Sequence, residues 1–218
     1  MLLRELQSLL ATINDAEVRH DVCDFLITDR RMLARWHAPT GASGTPEALL
    51  VAEHDGTLDV GLYLDPLLLT RLAASEPLAK LDDDNLEDFC TALEGVSHFN
   101  CVAFCAARGW SVSILGLEMQ AEIDKYAAAV LLAGTQRGGA LVHGLHQRLF
   151  ERVRFREDLD AALATLYAKA NRYAARFCGK LEERFLRRRR ARVLDMLGEL
   201  RRFYRLGDAG KLRCIEAV

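Results

Sequence analysis

The chain has 218 residues, half of them hydrophobic, and its 29 basic and 31 acidic side chains leave a net charge of −2. That is enough chain and apolar content for a full core in one domain, or one domain with an appendage. Six cysteines (Cys23, Cys90, Cys101, Cys105, Cys178, Cys214) sit in helix-like apolar segments and not in the pattern of a small disulfide-rich secreted scaffold, and charges interrupt every long apolar run. These features, with an N-terminus lacking the layout of a signal peptide, predict reduced thiols, no membrane span and a cytoplasmic protein.

"LLRELQSLLATI" and "AEVRHDVCDFLITDRRMLARW" carry apolar residues at three- and four-residue spacing on either side of Asn14 and Asp15, which predicts two opening helices. "HAPTGASGTPE" is a loop by composition. In "ALLVAEHDGTLDVGLYLD" two apolar runs flank Asp55-Gly56, a dipeptide that supplies the positive φ angles of a tight turn, so a β-hairpin is expected over about 47–64. A lone hairpin is marginal in water and must pack on helices or pair with another strand, including one from a second copy of the chain.

From Asp65 onward helices are expected over roughly 66–75, 84–107, 113–133 and 139–152, then along a longer pattern beginning near Glu157. In that last pattern Leu159, Leu163, Leu166, Ala170, Tyr173 and Phe177 form one seam, which resumes at Val193, Leu197, Leu200 and Tyr204. Arg187, Arg188, Arg189 and Arg190 interrupt it, and Arg190 falls on the apolar stripe, so a bend or a local emergence from the core is predicted near 187–190.

Within "NLEDFCTALEGVSHFNCVAFCAARG", Cys90, Glu94, His98, Cys101 and Cys105 follow steps of four, four, three and four and share one stripe of a helix that is apolar nearly all round. A charged pair one turn apart there requires partners. Either Glu94 and His98 bond each other or a neighbouring polar group, or they join a metal site with Cys101. "SILGLEMQAEIDKYAAAVLLA" places Glu118 and Glu122 one turn apart with Lys125 following. Inward-facing Glu residues are metal ligands in some helical bundles, whereas a solvated face with a Glu-to-Lys pair is the simpler expectation.

In "RGGALVHGLH" Arg137 precedes His143 by six residues. The spacing resembles the Arg-x4–6-His motif of the HEPN ribonucleases, a resemblance that would make both side chains assistants in RNA cleavage. The Gly-Gly after Arg137 departs from the polar residue usual there, and Arg31 with His37 has the same spacing.

Charge divides along the chain. Residues 1–147 hold 10 basic and 21 acidic side chains, residues 148–218 hold 19 and 10. Arg184, Arg187 to Arg190, Arg192, Arg201, Arg202 and Arg205 stand with no lysine among them, and guanidinium forks suit phosphates and carboxylates in pairs. Together these observations predict a mainly α, bundle-like domain over 1–152 with one inserted hairpin, and a long basic helical region over 153–218. The function expected is a non-enzymatic accessory protein without cofactor. It would engage nucleic acid or an acidic protein surface through Arg184, Arg187, Arg188, Arg189, Arg190 and Arg192. The alternatives are a helical enzyme, either a metal-dependent hydrolase using Glu94 and His98 or a HEPN-like ribonuclease using Arg137 and His143, and a scaffold that assembles with itself.

Overall fold

The computed structural model describes residues 2–36, 44–136, 144–151, 160–187 and 193–217. The mainly α architecture with an inserted hairpin is as expected. Helix α1 (Leu2–Asn14) buries Leu3, Leu6, Leu10 and Ile13, the apolar stripe of its 3.6-residue period.

The second predicted helix is not there. Instead Asp21 caps a 3₁₀ turn, Val22–Phe25, by accepting a hydrogen bond from the Cys23 N–H. A two-residue strand follows, β1 (Leu26–Ile27), and then a short helix, α2 (Arg31–Arg35). The helical spacing of the segment is outweighed by pairing: Leu26 and Ile27 lie parallel to Leu62 and Tyr63.

The hairpin joins β2 (Glu47–His54) to β3 (Thr57–Leu64) through Asp55 and Gly56, both at positive φ, in the register Glu47 opposite Leu64. The sheet order is β1-β3-β2, so the third strand comes from the same chain. Asp65 then caps α3 (Pro66–Ser75).

Two long helices form the centre. α4 (Leu86–Ala106) opens with Glu87 and Asp88 in its first turn, where acidic side chains suit the positive helix end, and α5 (Ile114–Gln136) returns alongside it after a short connection. Ser113 accepts a hydrogen bond from Gly116 N–H at the start of α5, and Asp208 fills the remaining space against Gly116 while accepting from the Ser113 N–H. Two further helices, α6 (Leu145–Phe150) and α7 (Ala161–Leu181), pack on α5.

The bend expected near 187–190 lies, beyond Arg187, outside the described residues. α7 widens into a π turn over Glu182–Leu186 that ends at Arg187. Glu182 ties this turn down by accepting from Tyr126 Oη at 3.0 Å and Arg187 Nε at 3.0 Å. The chain resumes as α8 (Val193–Tyr204) against α1 and ends in α9 (Asp208–Glu216), inside the helical region expected over 153–218 but beyond its apolar seam. Lys180 holds the end of α9 by donating to the carbonyls of Ile215 and Ala217. The main core draws side chains from every one of these helices except α2, whose Leu33 packs with Leu50 and Tyr63 in a separate cluster. Among the described residues no helix is long and apolar enough to cross a membrane.

Candidate metal centre

The α4 stripe faces α5 and the first residue of β2. Glu47, Glu94, His98, Glu118, Glu122 and Lys125 meet there. Glu47 reaches α4 because Gly95 has no side chain: a Cβ at that position would stand 3.0 Å from Glu47 Oε1 and 2.7 Å from Leu62 Cδ1.

His98 lies between two carboxylates. Its Nδ1 is 3.6 Å from Glu47 Oε1 and its Nε2 is 3.6 Å from Glu118 Oε2, with the imidazole side chain only 6 % exposed. Both distances exceed the 2.7–3.2 Å of a normal hydrogen bond. His98 Nε2 and Glu47 Oε1 are fully buried and make no hydrogen bond. Glu94, His98 and Glu118 each offer a ligand atom, all within 4.8 Å of one another.

Glu94 and His98 do not bond each other. Glu94 accepts from Lys125 Nζ at 2.8 Å, and the same ammonium donates to Glu122 at 2.8 Å. Nor is the α5 face solvated: Lys125 is buried, and Glu118 and Glu122 are largely covered. The i, i+3 pair is present but points inward.

The electrostatics follow from burial and these partners. Burial works against a charged His98, yet Glu118 and Glu47 outweigh it and raise its pKa well above the ordinary imidazole value. Burial raises the Glu47 and Glu122 carboxyls. Glu94 is also disfavoured by burial as an anion, but Lys125 beside it pulls its pKa below the usual carboxylate range. Cys90, one turn before Glu94, is pushed up to about 12 by burial and is an inert thiol.

The donor set suits a cation. Two carboxylates and one imidazole nitrogen are ligands for first-row divalent ions, with bonds of about 2.0–2.2 Å. Glu47 faces Nδ1, the nitrogen that a metal-bound imidazole leaves free to donate to a supporting carboxylate. Lys125 holds Glu94 in place.

A second polar group lies further along the same helices and is fully satisfied at its centre. Asp124, 1 % exposed, accepts from Ser97 Oγ at 2.6 Å, Gln120 Nε2 at 2.9 Å and Asn14 Nδ2 at 3.0 Å, and Lys211 Nζ donates to Gln120 Oε1 at 2.8 Å. This joins α1, α4, α5 and α9. Beside it a cleft of about 430 Å³ is lined by Cys101, Cys105, Trp110, Tyr204, Asp208 and Lys211, among others.

The arginine segment is described in part. Arg188, Arg189, Arg190 and Arg192 lie outside the described residues, as do Arg137, His143 and His37. Arg184 pairs with Glu199 at 2.9 Å and Arg187 with Glu182 at 3.0 Å. Arg201 donates to the Thr12 carbonyl, and Arg205 to Asp15. The last two bind the basic region to the α1 end of the acidic part.

Comparison of the chain with models of known families, with curated proteins and with solved structures found no match.

Proposed function

We propose that this protein is a metalloprotein that holds one divalent first-row ion, of the manganese or iron type, through Glu94, His98 Nε2 and Glu118. The observation that carries this reading is His98: a buried imidazole whose Nε2 has no hydrogen-bond partner and faces Glu118 at 3.6 Å, with Glu94 in the same group. Oxygen-rich sets with one imidazole favour manganese or iron over copper or a thiolate-bound zinc. A three-residue ligand set leaves coordination positions for water or a small ligand, and the ion would act there as a Lewis acid. Glu47 orients the imidazole, Lys125 fixes Glu94, and the packed α4–α5 interface limits access of bulk water.

The test is elemental analysis and calorimetric titration of chelator-treated protein with Mn²⁺ and, without oxygen, Fe²⁺. One ion per chain is expected, lost in His98→Ala and Glu118→Ala variants that keep their helical circular dichroism. Folded wild type that takes up none of these ions would overturn the reading and leave a buried imidazolium between two carboxylates.

A second reading concerns the arginine segment as a contact for nucleic acid. Arg184 and Arg187 support it by staying about two-thirds exposed although each is paired. Replacing Arg187, Arg188, Arg189 and Arg190 by Gln should weaken binding and flatten its salt dependence, by up to about one unit of slope for each phosphate no longer neutralised. Electrophoretic shift titrations at two salt concentrations measure this, and affinity indifferent to all four changes would remove the reading.

A further inference from the structure

The ammonium of Lys125 sits 2.8 Å from Glu94 Oε2 and 2.8 Å from Glu122 Oε1, in a side chain only 11 % exposed. Glu94 therefore belongs to two groups at once. Towards one side it joins His98 and Glu118, all within 4.8 Å, and towards the other it joins Glu122 around Lys125. That is the arrangement of a bridging carboxylate between two cation positions, with Glu122 as the terminal carboxylate of the second.

We infer that Lys125 is a built-in cation standing where a second metal ion would be held, and that it fixes this centre at a single ion. The inference rests on the metal reading above. Four carboxylates converge here: Glu47, Glu94, Glu118 and Glu122. One divalent ion and one ammonium nearly balance them. Without Lys125, Glu94 and Glu122 would face each other uncompensated in a buried site, which a second divalent ion would relieve. Two-metal centres place their ions about 3.5–4 Å apart and clamp the attacking and leaving oxygens of one reaction between them. An ammonium cannot accept a ligand, so Lys125 removes that chemistry and leaves a one-ion centre acting on one bound group. Lys125 thus sets the specificity of the centre for its number of ions.

The experiment titrates chelator-treated full-length protein with Mn²⁺, reading the stoichiometry by equilibrium dialysis and the coupling between ions by electron paramagnetic resonance. Wild type should bind one ion with the signal of an isolated Mn²⁺. Lys125→Ser should bind one ion more than wild type, with the broadened signal of a coupled pair. Lys125→Arg, which keeps the charge, should gain none. If Lys125→Ser does not fold, Lys125→Gln keeps most of the volume and is read in the same way. A folded neutral variant that binds no more Mn²⁺ than wild type overturns the inference. Wild type that binds none instead overturns the metal reading, so the two failures are distinct.

Discussion

Gly95 and Glu47 are complementary: the glycine on α4 leaves the space that the Glu47 carboxylate occupies on its way to His98, and a Cβ would come within 3.0 Å of Glu47 Oε1. The pairing links the first residue of β2 to the middle of α4. It explains why a helix-destabilising glycine stands in the interior of a buried helix, where it costs about 1 kcal/mol relative to alanine.

Gly95→Ala should therefore gain helix propensity and still lose stability, because overpacking costs about 1–3 kcal/mol. Displacing Glu47 from His98 should also lower Mn²⁺ affinity by roughly 10–100-fold, the usual effect of losing a supporting carboxylate. Denaturant melts and calorimetry measure the two effects separately. A variant as stable as wild type with unchanged affinity would show that Glu47 does not support the centre.

How much of the molecule is legible in the sequence depends on range. The α4 stripe of Cys90, Glu94 and His98 is a local periodicity and is legible, as is the hairpin turn at Asp55-Gly56. Glu47 carries no local signal, because only the register of β2 on β3 and the gap at Gly95 bring it to His98. Local spacing makes Lys125 a surface partner of Glu122, since an i, i+3 spacing is the same whether the face is wet or packed. The loss of the second predicted helix has a similar origin: Leu26 and Ile27 find their partners far along the chain, at Leu62 and Tyr63. That the C-terminal region is helical is legible, but where α9 docks is not, because its anchors, Lys211 to Gln120 and Lys180 to its last carbonyls, are all long-range.

Asp124 offers a stability test independent of any ion. Its carboxylate satisfies three buried donors, from Asn14, Ser97 and Gln120. Asp124→Ala orphans them, at about 1–3 kcal/mol for each unsatisfied group, so a loss of at least about 3 kcal/mol is expected. Arg71→Ala, at a largely exposed pair with Asp88, should cost no more than about 1 kcal/mol. Urea unfolding of both variants decides the matter, and equal effects would mean that the network is not a structural tie.

Cys105 should be the reactive thiol of the chain. A hydrogen bond with Cys101 lowers its pKa to about 7 against the opposing effect of burial, with Lys211 assisting, and the residue lines the cleft between α4 and α9. Because the thiolate is the nucleophile, alkylation by iodoacetamide should rise with pH through a midpoint of about 7, below that of an ordinary cysteine. Cys101→Ala should move that midpoint upward. Cys178, fully buried, should stay unlabelled in the folded protein. Peptide mass spectrometry of timed reactions gives the profile, and a rate still climbing steeply between about pH 8 and 9, where an unperturbed thiol titrates, would contradict it.

Metal binding should also appear as thermal stability. An ion that binds only the folded chain stabilises it by about 2.7 kcal/mol at 100 times its Kd. For a chain of this size each kcal/mol raises Tm by about 2–4 °C, so saturating Mn²⁺ should raise the wild-type Tm by roughly 5–10 °C over chelator-treated protein. In His98→Ala the rise should vanish, because the imidazole is the one nitrogen ligand of the group. In Glu47→Gln the rise should shrink but persist, since Glu47 acts through His98 and not on the ion. Scanning calorimetry with and without Mn²⁺ reads all three proteins, and an equal rise in wild type and His98→Ala would place the ion elsewhere on the chain.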